Sequence, residues 1–326
     1  MQVVNKSLIS NKKVLLRYDI DVQIVNGKVT EDFKLRAGLK TLKLCLKNAQ
    51  SVIMMGHVGR PDGKVVNGLK VAPIVDWFKS HGYSGNLKSG KLQILENLRF
   101  DGREEAGDTE YGEELAKLGD IFVNEAFSAY HQAVSTTVLP KLLPHAAGLN
   151  FFKEVAVLTN VRNNPKKPFV AIIGGAKVQD KLPVIQVLAQ KADAVLVGGK
   201  LVHEIREQNI TLPKNVLVGK LNEDGFDIAP DTTDSWQDLI MKAKMIVWNG
   251  PLGKFEDPKN DQSAKIAQIV LESGAEIVVG GGDTVALLGS LGLLGKYEKV
   301  GFVSVGGGAM LKFLSDGTLP TIQALN

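Results

Sequence analysis

The sequence predicts an α/β protein of two domains, each built on a parallel sheet with crossover helices. Three observations carry that reading. Short apolar, β-prone runs alternate with helical segments along the chain, the order that parallel strands and their returning helices impose. Five strands of the second half run straight into glycine, which describes one shared sheet edge. The chain has 326 residues, about two domains' worth, and NNPKKP at 163–168 breaks it near the middle.

In the first half, Val14–Leu16 is a short apolar run ending in Arg17, Tyr18, Asp19, Ile20 and Asp21. Gly27 marks a turn. Thr30, Glu31 and Asp32 read as a helix start, and Leu35, Leu39, Leu42 and Leu46 keep helical spacing to Asn48. Ser51–Met55 is the next strand, followed by the loop Gly56–Gly63. A helix is expected over Ala72–His81, a strand over Leu92–Leu95, a helix over Glu110–Leu118 and a strand over Ile121–Val123. The residues with chemistry to offer come just after strands: Asp19 and Asp21, His57 and Arg60, Arg99, then His131. In an open α/β sheet those positions share the edge where ligands bind. The set is mostly cationic, which suits a small anion, and arginine offers two-point contacts to carboxylate or phosphate. Arginines that merely brace the edge, and a His57 that merely bonds its own turn, remain the plainer alternative.

The second half opens with an amphipathic helix over Phe151–Val161, and NNPKKP ends it. Phe169–Ile173 is then an apolar strand that meets Gly174 and Gly175 at once. Lys177 and Lys181 follow, four apart and so on one face of a helix near its N-terminus. Free backbone N–H groups, a turn without Cβ atoms and two ammonium groups together suit a phosphate. Solvated lysines beside an ordinary turn are the alternative. The pattern recurs where Ala194–Val197 meets Gly198 and Gly199, and where Met245–Trp248 meets NGPLGKFE. Glu276–Val279 meets GGGDT, and Phe302–Val305 meets GGGA. Asp283, after three glycines, is placed to hold a Mg²⁺ bridging phosphate oxygens or to cap the next helix. Glu256 suits a ribose hydroxyl or plain solvent. GxxxxGK[ST] does not occur, so this is not a P-loop.

Composition bounds the partners. A hydrophobic fraction of 44% with 23% charged residues is that of a globular protein with a sizeable core. The net charge of +4 is too mild to suggest nucleic acid. The single cysteine, Cys45, excludes an internal disulfide, fits a reducing compartment, and sits in a leucine-rich helical stretch as a core residue. No apolar run approaches the ~20 residues that span a bilayer, and the first residues lack the apolar segment of a secretory signal. A cytoplasmic protein is expected.

Taken in order, GHVGRP, ILENLRF, FVNEAF, IIGGAKVQDK, WNGPLGKFE, GGGDT and VGGGA resemble the phosphoglycerate kinase family from Val14 to the LPTIQAL tail. The resemblance implies two Rossmann-like three-layer domains facing a central cleft. Residues 1–150 would bind 3-phosphoglycerate, with 314–326 packing back on them, 151–165 would be a hinge helix, and 166–313 would bind nucleotide. It implies reversible phosphoryl transfer between ATP and the carboxylate of 3-phosphoglycerate by a monomer that uses Mg²⁺ and meets neither nucleic acid nor membrane. Lys177 would follow the moving phosphoryl group, joined in catalysis by Lys34, Gly282 and Gly306. Lys181 would hold nucleotide phosphates, and Gly281, Gly282 and Thr284 would offer them backbone N–H groups. Gly174, Gly175, Gly198, Gly199, Asn249 and Pro251 would complete the nucleotide site, with Glu256 on the ribose and Asp283 on the metal. Asp19, Asp21, Lys34, Arg36, His57, Arg60, Arg99, His131 and Gln132 would face the acid.

The chain departs from the family pattern at several of these positions. Lys34 stands where the family has its catalytic arginine, and Arg36 is the candidate substitute. Asp21 replaces an asparagine, Gln132 and Val134 replace an arginine and a histidine, and Lys200 replaces a glycine. The chain is also shorter, notably between Asp76 and Leu92 and between Gly219 and Pro230. These departures motivate two other readings: a MgATP-dependent kinase for another small carboxylate, and a non-catalytic nucleotide-binding relative.

Overall fold

A computed structural model describes residues 1–176 and 178–326. The first sheet contains β1 (Lys13–Arg17), β4 (Ser51–Met55), β5 (Leu92–Ile94), β6 (Ile121–Asn124) and β7 (His145–Ala147), ordered β5-β4-β1-β6-β7. A separate two-stranded hairpin, β2 (Ile24–Val25) with β3 (Lys28–Val29), turns at Gly27. The second sheet contains β8 (Phe169–Ile173), β9 (Ala194–Val197), β10 (Val216–Val218), β11 (Met245–Asn249), β12 (Glu276–Gly280) and β13 (Gly301–Ser304), ordered β10-β9-β8-β11-β12-β13. All pairings within both sheets are parallel.

The reason lies in the strands themselves. Val14 to Arg17 of β1 and all five residues of β8 are buried, the near-continuous burial of strands covered by helices on both faces. Each sheet starts in its middle and grows outward in both directions. The order therefore reverses beside β1 in one sheet and beside β8 in the other, and a crevice opens there at the C-terminal edge.

The chain forms two compact units, Met1–Val155 with Thr318–Asn326, and Ala156–Gly317. The boundary falls inside the helix Leu149–Asn163. Among the described residues no helix is long and apolar enough to cross a membrane.

Two expected helices are divided, each for a local reason. The helix expected to reach Asn48 unbroken is split into Phe33–Ala37 and Leu39–Asn48. Tyr18 packs against the break, where a Cβ on Gly38 would sit 2.5 Å from its ring. The helix expected over Ala72–His81 ends at Phe78 and passes through a widened turn, because Gly82 takes φ +92°. The helix Leu149–Asn163 buries Phe151, Leu158 and Val161, and it carries the carboxylate Glu154 on the same face. Glu125, itself buried, accepts the N–H groups of Asn150 and Phe151 at the start of that helix.

Candidate functional site

Register levels the strand ends of the first sheet. Arg17 pairs with Met55 on one side and Asn124 on the other, so the loops after β4, β1 and β6 leave from one line. His57 follows β4, with its loop held by Asn97, which donates to Val58 O and Leu69 O and accepts from Val58 N. Lys34 is carried by the short helix Phe33–Ala37, which Tyr18 fixes through a 2.6 Å bond from its hydroxyl to Leu35 O.

At this edge each inward cation has an acidic or carbonyl partner. Lys34 Nζ donates to Asp21 O at 3.0 Å and lies 3.8 Å from Asp19 Oδ1. Burial alone would lower its pKa, but Asp19, Asp21 and Glu31 more than offset that and raise it. Asp19 also accepts a 2.5 Å bond from Ser128 Oγ. Arg99 donates to Gly59 O at 2.8 Å and pairs with Glu105 at 3.1 Å. The mostly cationic edge expected from sequence is therefore a balanced one.

Arg17, 1% exposed, is the centre of a network the sequence reading passed over. Its guanidinium donates to Ser135 Oγ at 2.8 Å and Tyr18 O at 2.7 Å, and reaches His57 Nδ1 at 2.6 Å. Ser135 Oγ donates onward to Glu104 Oε1 at 2.5 Å. Burial raises the pKa of Glu104, with Arg17 opposing it. His57 is driven well below an ordinary imidazole, first by burial and then by Arg17, Arg99, Lys34 and His131. The available signal was a charge closing a buried strand, since an arginine inside a core is almost never left unpaired.

The remaining predicted residues spread outward. His131 is exposed and tilted against Tyr130, its pKa lowered by partial burial and by Arg99 and Arg60. Arg60 and Gln132 are exposed, and neither makes a hydrogen bond or ion pair among the described residues. Arg36 does not join Lys34. Two residues on along the helix it faces elsewhere, and its Nε bonds Asp32 at 2.8 Å.

The second edge is made of backbone. Val197, Ile173, Asn249, Gly280 and Ser304 are level in register, and the glycine loops leave together. They pack against one another where no Cβ fits: at Gly174 it would overlap Pro251 O, at Gly250 Gly174 O, and at Gly307 the Cα of Gly281. Gly175, Gly199, Gly250 and Gly281 all have positive φ, from +71° to +111°. Asn249 joins its own strand end to two neighbours, donating to Gly280 O at 2.8 Å and accepting from Lys181 Nζ at 3.3 Å. Lys181 also donates to Gly174 O. Thr284 Oγ1 accepts from Gly250 N at 2.8 Å and donates to Gly280 O at 3.1 Å, so its side chain braces the loops.

Two helices, Gly282–Ser290 and Gly307–Asp316, begin at this edge with Gly281 and Gly306 as N-caps and without a side-chain cap. Their first N–H groups are left for an anion. Asp283 is exposed in the first turn and does not cap the helix, while Glu256 is exposed on the loop after β11. One carboxylate beside anion-binding helix ends is a donor set that fits Mg²⁺ arriving with phosphates, because that ion takes one or two carboxylates and fills its remaining positions with phosphate and water. Lys177 lies outside the described residues.

A family model described as phosphoglycerate kinase matches residues 4–216 and 203–317. A phosphoglycerate kinase of Herpetosiphon aurantiacus is 35% identical over 384 aligned positions, covering 97% of each chain. One from Roseiflexus castenholzii is also 35% identical, again covering 97% of each. Both alignments are longer than the 326 residues here, so those relatives carry segments that this chain lacks. Among solved structures, phosphoglycerate kinase from Coxiella burnetii matches with a TM-score of 0.80 at 28% identity, covering 97% of this chain and 96% of that one. The structure from Pyrococcus horikoshii shares the fold, with a TM-score of 0.85 at 24% identity over 100% and 98%. On the family match and these identities together, the chain belongs to the phosphoglycerate kinase family.

Proposed function

We propose that this chain catalyses reversible phosphoryl transfer between ATP and the carboxylate of 3-phosphoglycerate, the glycolytic reaction for which its relatives are named. Family membership over nearly the whole chain is the observation that carries this reading. In it the first unit holds the acid and the second holds the nucleotide. The relatives give no support to a different acid acceptor or to a catalytically silent chain.

The acid site is assigned to Asp19, Lys34, His57, Arg60, Arg99 and His131, with Asp21 and Gln132 beside them. Its carboxylate acceptor is already a nucleophile and needs no general base, so the protein's work is alignment and charge stabilisation. On the nucleotide side, the uncapped helix ends at Gly281–Gly282 and Gly306–Gly307 suit the phosphates. Lys181, with Gly174, Gly175, Gly198, Gly199, Asn249 and Pro251, shapes the bed beneath them, and Glu256 takes the ribose. Asp283 would hold the Mg²⁺, which would supply charge neutralisation for the phosphates. Lys177 and Lys34 supply the positive charge for the phosphoryl group in flight. The ligands bind different units, so transfer calls for a closing motion, and the helix Leu149–Asn163 is assigned as its hinge. A monomer in the cytoplasm completes the reading.

The test is transfer from MgATP to 3-phosphoglycerate, coupled to NADH oxidation. Turnover that disappears in Lys177→Ala, with MgADP still bound in calorimetry, is the expected result. Undiminished turnover in that variant removes Lys177 from catalysis, and a native protein that binds MgADP without turning over refutes the acid assignment.

A further inference from the structure

His57 stands between a group that can only donate and a group that can only accept. On one side, Arg17 Nη2 lies 2.6 Å from His57 Nδ1, and a guanidinium has no acceptor atom. Nδ1 must therefore present its lone pair. On the other side, Nε2 faces Asp21 Oδ2 at 3.9 Å, and a carboxylate has no proton to offer at neutral pH. We propose that Arg17 is a positioning residue that fixes His57 as its Nε2–H tautomer, with Ser135 and Glu104 holding Arg17 in place. The proposal rests on reading this edge as the acid site.

Arg17 has no freedom to turn away. Its three nitrogens engage Ser135 Oγ, Tyr18 O and His57, and the side chain is closed off from solvent. Ser135 accepts from Arg17 while its own hydroxyl proton goes to Glu104, at 2.5 Å. Glu104 in turn is anchored by Ser135 N at 3.1 Å and is 2% exposed. The guanidinium donates in both directions, to the imidazole on one side and through the Ser135 hydroxyl to the carboxylate on the other.

The consequence reaches the substrate. Nε2–H is the single N–H of the neutral ring, and it makes no hydrogen bond among the described residues, since 3.9 Å is too long for one. That hydrogen is available to an oxygen of the bound acid, and a neutral ring adds no further positive charge beside Arg17, Arg99 and Lys34. The depressed imidazole pKa agrees with the neutral form. Asp21 also acquires a use here. A carboxamide can turn either its oxygen or its nitrogen to the ring, whereas a carboxylate presents only acceptors, so Asp21 disfavours a lone pair at Nε2 without bonding it.

Two-bond proton–nitrogen spectra of protein labelled with ¹⁵N-histidine test this at pH 7. The chain has five histidines, and the His57 signals are those lost in His57→Gln. The expected result is a single tautomer at His57, with Nδ1 unprotonated and Nε2 protonated. In Arg17→Met combined with Glu104→Gln, which removes both buried charges together, both tautomers should populate. KM for 3-phosphoglycerate should rise about tenfold, the loss of one hydrogen bond to a charged group, with kcat changed less. Ser135→Ala keeps both charges and should move the tautomer ratio the same way by less. Imidazolium or Nδ1–H in the native protein overturns the proposal, as does an unaltered tautomer in both variants. A native protein with the fixed tautomer but no transfer to 3-phosphoglycerate would sink the acid assignment and leave the role of Arg17 standing.

Discussion

At the edge of the first sheet the polar groups belong to side chains that bond one another. At the edge of the second they belong mostly to the backbone, where glycines let main chain pack against main chain. The first edge is held by a connected set, Glu104, Ser135, Arg17 and His57, with Lys34 set between Asp19 and Asp21. The second is held by loops packed so closely that several positions have no space for a Cβ. Side-chain networks can be rewritten residue by residue, since a neighbour can change its partner. A backbone bed resists this at Gly174, Gly250 and Gly307, where an added Cβ meets another main chain. The departures expected from the resemblance at Asp21, Lys34, Gln132 and Val134 fall in the first unit, and that at Lys200 in the second.

The sharpest way to break this contrast is Gly250→Ala. The new Cβ would overlap Gly174 O, and φ of +90° is strained for any side chain, so a loss of about 3 kcal/mol and of nucleotide binding is expected. Urea unfolding and MgADP calorimetry measure both. An alanine tolerated there would mean that the second edge yields as readily as the first.

Next in size is a pH effect confined to the first unit. Burial raises the Glu125 pKa to about 8, against its hydrogen bonds to Phe151 and Asn150. The unfolded chain releases this proton near ~4.3 and the folded chain keeps it to about 8. The folded state thus binds more protons between those values. This group's contribution to stability is greatest at low pH, falls as pH rises through that window, and is flat above it. Glu125→Gln should remove the slope, gaining on the native protein by a few kcal/mol between pH 5 and pH 9 in urea titrations. Parallel curves for the two proteins would place that carboxyl in water.

The smallest effects separate two neighbours. Lys34→Ala should lower kcat/KM for 3-phosphoglycerate about tenfold, ~1.4 kcal/mol, with MgADP affinity unchanged. Arg36→Ala should change it by less than about twofold, because Arg36 is exposed and paired with Asp32. Equal effects would show that Arg36 shares the acid site.

Much of the architecture was legible because parallel strands covered on both faces read as unbroken apolar runs, and β4, β8 and β9 occupy the expected residues. The breaks were not. Gly38 interrupts a helix because Tyr18, twenty residues earlier, packs there, and no local pattern carries that information. At the sites, glycine after a strand marked the second sheet's edge plainly, since glycine has few other reasons to recur there. Arg17, Glu104 and Ser135 were illegible as a group because they come together only when three separate strand and helix ends are folded.

The nine residues Thr318–Asn326 belong to the first unit, although the whole second unit precedes them in the chain. Leu319, Ile322 and Leu325 are buried there, and the helix Pro320–Ala324 packs on the turn Val134–Val138. On the ribosome, then, the unit that is started first is finished last. At synthesis rates of about 5–20 residues per second, an unfilled apolar seat waits on the order of ten seconds or more while the second unit is made. The nascent first unit is in that interval a ready client for a chaperone.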